Sequence, residues 1–181
     1  LKANKLELID AYWSELPTSN YNYIDKTLLN IKLAKKEFNE VLNLTNDTKT
    51  YYYERAIAYD SLNKIEEANI VYNKALSTNP FDTKLIIAAS DFLAYKMDDD
   101  EKSYNLILDA VINDDLNIDA KKAYIKRCLE QNLRTFAESV QDDLAEMISE
   151  EELREFALDT QFDVADYHAA HPEKQQLEFI D

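Results

Sequence analysis

The chain has 181 residues, enough for one or two domains with a core, and its 46% hydrophobic and 31% charged residues are typical of a globular protein. It contains no glycine, which disfavours a β-rich fold with tight hairpins and excludes the glycine-rich loops that hold phosphates. Its net charge of −16 repels phosphate backbones, so we expect no nucleic-acid partner.

The sequence has one cysteine, Cys128, which excludes an internal disulfide and a cysteine-based zinc cluster. We expect its thiol to be buried on a helix. No apolar run reaches the length of a membrane span, so no transmembrane segment is predicted. No motif for a cofactor is present, and none is expected.

Apolar residues recur at three- and four-residue intervals along nearly the whole chain, which predicts helices joined by short loops. Ser149 followed by Glu152 forms a capping box, which places a helix start at Glu150, and His171-Pro172 ends that helix. The predicted helices, in chain order, are 3–16, a segment on the stripe Ile24–Ile31, 38–46, 49–63, 65–78, 83–97, 102–113, 118–131, a segment on the stripe Phe136–Met147, and 150–168.

Residues 49–82 fit one unit of 34 residues, a helix, a turn and a second helix. Two small residues, Ala56 and Ala68, lie where the two helix axes must approach closely. Asn63 is predicted at the turn. Asparagine tolerates the left-handed conformation that glycine usually supplies there. Pro80 cannot continue the second helix and directs the chain toward the next unit.

This unit resembles the tetratricopeptide repeat, whose pattern has a large aromatic, a small residue and tyrosine in the first helix, then alanine, an aromatic, alanine and proline. The positions that match are Tyr52, Ala56, Tyr59, Ala68, Tyr72, Ala75 and Pro80. Two positions depart from the pattern, because Arg55 replaces the usual leucine and Asn63 replaces glycine. The resemblance implies an all-α fold, a right-handed superhelix of antiparallel helix pairs.

The predicted organisation has three parts. Residues 1–20 form an N-terminal helix, and 21–116 form the repeats. Within the repeats, 83–116 continue the phase of the best unit after a one-residue insertion. Residues 117–181 form a degenerate repeat with long acidic helices and a stretched period. The chain starts without methionine and ends on an incomplete apolar pattern, so we expect it to be a piece of a longer protein.

In this family the first helices of successive units line a concave groove that binds a peptide or a partner helix. The resemblance implies that the groove mixes tyrosine, isoleucine and single charges. The implied partner-binding residues are Thr50, Tyr53, Ile57, Asp60, Lys84, Ile87, Asp91, Tyr95, Lys122 and Lys126.

The chain is therefore predicted to be a non-catalytic scaffold for protein–protein interaction, with a protein or peptide as its partner. The alternative is a helical accessory domain of a larger enzyme or assembly, including the half-a-tetratricopeptide scaffolds of RNA processing. The last third, 132–181, has 14 acidic and 3 basic residues, so a basic partner would suit it.

The segments "NPFD", "DLNIDAKKAYIKRCLEQ" and "AHPE" are similar to stretches of tetratricopeptide lipoproteins and related envelope proteins of Gram-negative bacteria. The sequence leaves two compartments open, the cytoplasm or, if an anchor has been removed, the bacterial periplasm or envelope that this resemblance implies.

Two further clusters of polar residues are candidate metal sites. His168 and His171 are three residues apart at a helix end, which suits metal binding, but a polar helix end is the favoured interpretation. The run from Asp98 to Glu101 lacks the alternating ligands and the glycine of a calcium loop. No catalytic or metal-binding residue is therefore predicted.

Overall fold

A computed structural model describes residues 26–46 and 50–174. The predicted helix at 3–16 lies outside these residues, as does most of the closing segment "EKQQLEFID". Every regular element of the described residues is an α-helix, except for one short turn of 3₁₀-helix at 172–174. The all-α prediction is therefore confirmed. The nine α-helices of the described residues are α1 (Lys26–Ala34), α2 (Phe38–Thr45), α3 (Tyr52–Ser61), α4 (Ile65–Thr78), α5 (Thr83–Lys96), α6 (Asp100–Asn113), α7 (Ile118–Glu130), α8 (Arg134–Met147) and α9 (Glu150–Ala170).

The helix bounds follow local capping. Helix α3 starts later than predicted because Tyr51 has φ of 59°, a left-handed value that no helix can contain. Helix α6 starts earlier than predicted because the Asp99 side chain accepts the N–H of Lys102 and caps the first turn. The cap at Ser149 is confirmed, since its hydroxyl accepts the N–H of Glu152 at 3.2 Å.

Without glycine, the chain makes its turns with residues that carry side chains. Helices α1, α3, α5 and α7 each end two residues before a left-handed residue, which joins them to the next helix. These four residues, with φ between 53° and 60°, are Lys36, Asn63, Asp98 and Asn132. Asparagine and aspartate tolerate this region better than most residues, which explains three of the four. The prediction of a left-handed Asn63 is confirmed.

Three of these turns share one hydrogen-bond pattern. At the α3–α4 turn, the N–H of Asn63 donates to the carbonyl of Asp60 at 2.8 Å, and the N–H of Lys64 donates to that of Tyr59 at 2.9 Å. The same two bonds close the α1–α2 and α7–α8 turns, and together they form a Schellman motif. The α5–α6 turn is one residue wider, since the N–H of Asp99 reaches the carbonyl of Leu93, in agreement with the predicted insertion.

The left-handed residues also reveal the period of the chain. Lys36 and Asn63 are 27 residues apart, Asn63 and Asp98 are 35 apart, and Asp98 and Asn132 are 34 apart. Four helix pairs therefore follow one another between Lys26 and Met147, and the first of these four is shorter than the others. The regular spacing reaches one pair further than the stretched period expected beyond residue 117.

Lys36 offers a direct test of the strain in these turns. Replacing Lys36 with glycine is expected to raise the free energy of unfolding by about 0.5–1 kcal/mol, because glycine adopts positive φ without a Cβ clash. Urea titration measures this change. The matched control is Ala34→Gly, two residues earlier and still helical, which is expected to cost up to about 1 kcal/mol. Equal effects of the two substitutions would contradict the assigned strain.

The chain divides into two compact units, Leu1–Pro80 and Phe81–Asp181. In the first unit, α1, α2 and α3 pack around the fully buried side chains of Leu29, Val41 and Ala58, with Tyr51 and Phe38 against them. Helices α3 and α4 pack together as a pair. Ala56 and Ala68, predicted at the close approach of these helices, are both fully buried.

In the second unit, α5 pairs with α6 and α7 pairs with α8, while α6 packs on α7. Hydroxyl groups replace alanine at the contact of α5 with α6, where Ser90 and Ser103 are buried with their oxygens 2.8 Å apart. Helix α9 follows and packs on α7. Across the described part of the chain, no helix combines the length and the apolarity required to cross a membrane.

Candidate partner-binding surface

Helix α9 lies along α7 and runs in the same direction. Contacts between the two helices rise together in residue number, so the helices are parallel. These contacts are Lys122 Nζ to Glu152 Oε1 at 2.6 Å, Lys126 Nζ to Asp163 Oδ2 at 2.8 Å, and His168 Nε2 to the carbonyl of Glu130 at 2.9 Å. Two of the three are ion pairs, so basic side chains of α7 hold the acidic helix α9.

Beneath this contact, an ionic network built on the buried pair of Arg127 and Glu130 joins α5 to α7. Arg127 is 2% exposed and Glu130 is fully buried. The Arg127 guanidinium donates to Glu130 at 2.6 Å and to Asp91 of α5 at 2.8 Å. It also lies 5.1 Å from the ring centroid of Tyr95, a cation–π distance. The hydroxyl of Tyr95 donates to the second oxygen of Glu130.

Burial governs the ionisation of this network. Desolvation raises the pKa of Glu130 above its usual range, and the Arg127 charge offsets part of that rise. The pKa of Asp91 is raised for the same reason and is likewise opposed by Arg127. The pKa of Tyr95 is raised mainly by desolvation, and the nearby negative charge of Glu130 is the second cause. Arg127 therefore supplies the positive charge that opposes the desolvation of Glu130, which is fully buried, and of Asp91, whose side chain is 43% exposed.

The far end of α9 is anchored by Tyr167, which is 3% exposed. Its ring packs edge-on against Tyr95 with centroids 5.6 Å apart. Its hydroxyl donates to Asp100 at 2.8 Å and accepts from Lys174 at 3.0 Å. Burial raises the pKa of Tyr167 to about 12. Lys174 also pairs with Asp98 at 2.5 Å, which ties the end of α9 to the α5–α6 turn.

The structure brings five of the ten predicted groove residues together in the second unit. A cavity of about 260 Å³ between α5, α7 and α9 is lined by four of them, Ile87, Asp91, Lys122 and Lys126. Tyr95 lies against Lys126, whose Nζ is 5.6 Å from the tyrosine ring centroid. Lys84 is also in the second unit but apart from these five residues, and it is exposed in the first turn of α5. Helix α9 lines the same cavity through Phe156, Thr160 and Asp163.

The other four predicted groove residues lie in the first unit. Tyr53, Ile57 and Asp60 are half-buried on α3, at four- and three-residue intervals that place them on one face. Thr50 is exposed just before the helix. The part that all ten residues play in binding stays a prediction.

On its other side, α9 forms a cleft with α7 and α8 of about 630 Å³. The inner wall is apolar and includes Ile125, Leu129 and Val164. Leu158 lines the outer edge and is 54% exposed. The remaining lining is mostly polar and includes Arg134 and Arg154, one from each of the two outer helices. An apolar wall with an open, charged edge is the usual form of a binding groove for a helix or peptide.

Sequence reasoning did not identify the buried role of Arg127 and Glu130. They lie three residues apart and share one helical face, as do many exposed ion pairs. Hydrophobic periodicity marks apolar positions only, so it carried no signal for a buried charged pair. The burial of Cys128 was predicted correctly, and desolvation raises the pKa of its thiol to about 11.

The two histidines make hydrogen bonds to the backbone. His168 Nε2 lies 2.9 Å from the carbonyl oxygen of Glu130, and His171 Nδ1 lies 3.0 Å from that of Tyr167. Among residues 26–46 and 50–174, there is no group of three or more His, Cys, Asp or Glu side chains that could hold a metal ion.

Comparison of the chain with models of known protein families, with characterised proteins and with solved structures finds no match.

Proposed function

We propose that this chain is a non-catalytic helical-repeat protein that binds a helix or a peptide of another protein. The proposal includes a tetratricopeptide-like superhelix in which the first helices of successive pairs face the partner. Its support is the recurrence of helix pairs at 34 and 35 residues, together with the sequence pattern of residues 49–82.

The observation that carries the proposal is the contact of α9 with the predicted binding residues. Lys122 and Lys126 form ion pairs with Glu152 and Asp163 of α9, and Tyr95 packs against the same helix. Lysine stems, charged ends and a tyrosine ring therefore already hold a helix of the same chain. A surface with this composition has the chemistry that helix recognition requires.

Affinity capture with the full chain tests the proposal, using extract from the organism that encodes it. Tyr53→Ala and Lys84→Ala remove two predicted contacts, one from each unit. At least one protein enriched by the wild-type chain is expected to fall about tenfold with these variants, since central contact residues contribute more than about 1 kcal/mol to binding.

The matched control is Lys74→Ala, which removes an exposed lysine from α4, the second helix of its pair. Circular dichroism verifies that all variants stay helical. If the captured proteins are the same for Tyr53→Ala, Lys84→Ala and Lys74→Ala, the assigned binding face is wrong.

A further inference from the structure

Helix α9 has a second apolar face, on the side of the helix opposite the buried Thr160 and Tyr167. Its members are spaced by four, three and four residues, so they share one side of the helix. They are Leu158 (54% exposed), Phe162 (66% exposed), and the exposed Ala165 and Ala169. We call this set the outer stripe.

The inner face of the same helix is already occupied. Thr160 and Tyr167 are buried against the unit, and Phe156 is half-buried with Lys122 Nζ 5.8 Å from its ring centroid. The outer stripe is therefore additional to the face that holds α9 in place. It also continues into the cleft between α8 and α9, since Leu158 lines that cleft.

Exposed carboxylates border the outer stripe along one side of α9. They are Glu151, Glu155, Asp159 and Asp166. None of these four forms an ion pair with another described residue, whereas Glu152 and Asp163 are paired with lysines of α7. Asp159 and Asp166 line cavities that also contain Lys126, but within 26–46 and 50–174 they make no ion pair. A partner that covers the outer stripe would bring positive charge close to these carboxylates.

We propose that the outer stripe of α9 binds a basic amphipathic helix of another protein. Its apolar face would cover Leu158 and Phe162, and its lysines or arginines would pair with the bordering carboxylates. A second copy of this chain fits the surface poorly, because each copy has a net charge of −16 and like charges repel. This inference rests on the proposed function and specifies a second surface for it.

The probe is a synthetic peptide of about 18 residues, long enough for five helical turns. It has leucines at helical intervals and lysines elsewhere, and a control peptide replaces every lysine with glutamate. Fluorescence anisotropy measures binding to the full chain at low and at physiological ionic strength. The lysine peptide is expected to bind, and its affinity should be lower at the higher ionic strength. The glutamate peptide is expected not to bind.

Phe162→Gln is expected to weaken binding of the lysine peptide about tenfold, because it removes a large apolar contact. Glu155→Lys is also expected to weaken binding relative to the wild-type chain, and this difference should grow as ionic strength falls, because salt screens the lost attraction less. Phe81→Gln is the matched control, since Phe81 is 76% exposed in the same unit but lies outside α9. It should leave the affinity unchanged.

The inference is overturned if the lysine peptide does not bind, or if Phe162→Gln and Phe81→Gln weaken it equally. It is also overturned if the wild-type chain forms a dimer in sedimentation and Phe162→Gln dissociates it. Tyr53→Ala separates the two proposals. Peptide binding that depends on Tyr53 but not on Phe162 would refute the outer-stripe site and leave the proposed groove intact.

Discussion

Replacing Arg127 with methionine is expected to lower the free energy of unfolding of the unit Phe81–Asp181 by about 3–5 kcal/mol. Methionine fills much of the volume but leaves Glu130, which is fully buried, without its cation. Asp91 loses its partner at 2.8 Å as well. An uncompensated buried carboxylate costs far more than the lost ion pair itself, because desolvation opposes its charge.

Urea denaturation measures the loss, and Arg154→Met is its matched control. Arg154 also pairs with a glutamate, Glu150, but at 3.4 Å and with both side chains more than four-fifths exposed. Its substitution is expected to change stability by less than about 0.5 kcal/mol. The double variant Arg127→Met with Glu130→Gln should recover part of the loss. A cost of Arg127→Met as small as that of Arg154→Met would show that the network is not desolvated.

Replacing Tyr167 with alanine is expected to destabilise the packing of α9 by about 3–5 kcal/mol, the usual cost of removing a large buried aromatic. The ring contact with Tyr95 and the hydroxyl bonds to Asp100 and Lys174 are lost together. Amide hydrogen exchange measures the effect locally. The protection of backbone amides from exchange should fall across residues 150–170. It should persist across α5–α8, because their ionic network does not include Tyr167.

Two variants of α9 calibrate that result. Tyr167→Phe keeps the ring and removes only the hydroxyl, so its effect should be about 1–2 kcal/mol. Phe162→Ala removes an aromatic ring from the exposed side of the same helix and should leave exchange unchanged. If Tyr167→Ala exposed the amides of 83–147 as much as those of 150–170, α9 would not be an independently docked element.

The helices were predictable because their signals are local. The bounds of α4 were predicted to the residue, since an apolar stripe, the Asn63 turn and the Asn79-Pro80 end all lie within one short segment. The start of α9 depended on Ser149 and Glu152 alone. Such features act over three or four residues, so periodicity and capping chemistry are enough to identify them.

The arrangement of α9 was not predictable in the same way. Its position depends on contacts between residues 30 to 76 positions apart, such as Lys122 with Glu152 and Lys174 with Asp98. Acidic residues on a helix usually indicate a hydrated face, and nothing in their spacing separates the paired Asp163 from the unpaired Asp159. The buried pair of Arg127 and Glu130 was missed for the same reason, because charge alone does not reveal burial.

The shared geometry of the turns at Lys36, Asn63 and Asn132 has a consequence for how the chain could change in length. Each of these junctions closes with the same two main-chain bonds and needs no particular side chain beyond one that accepts positive φ. A hairpin is therefore a modular piece, delimited by interchangeable joints. Duplication or deletion of such a piece would preserve the backbone conformation of every joint that remains, so this architecture can grow by copying whole hairpins.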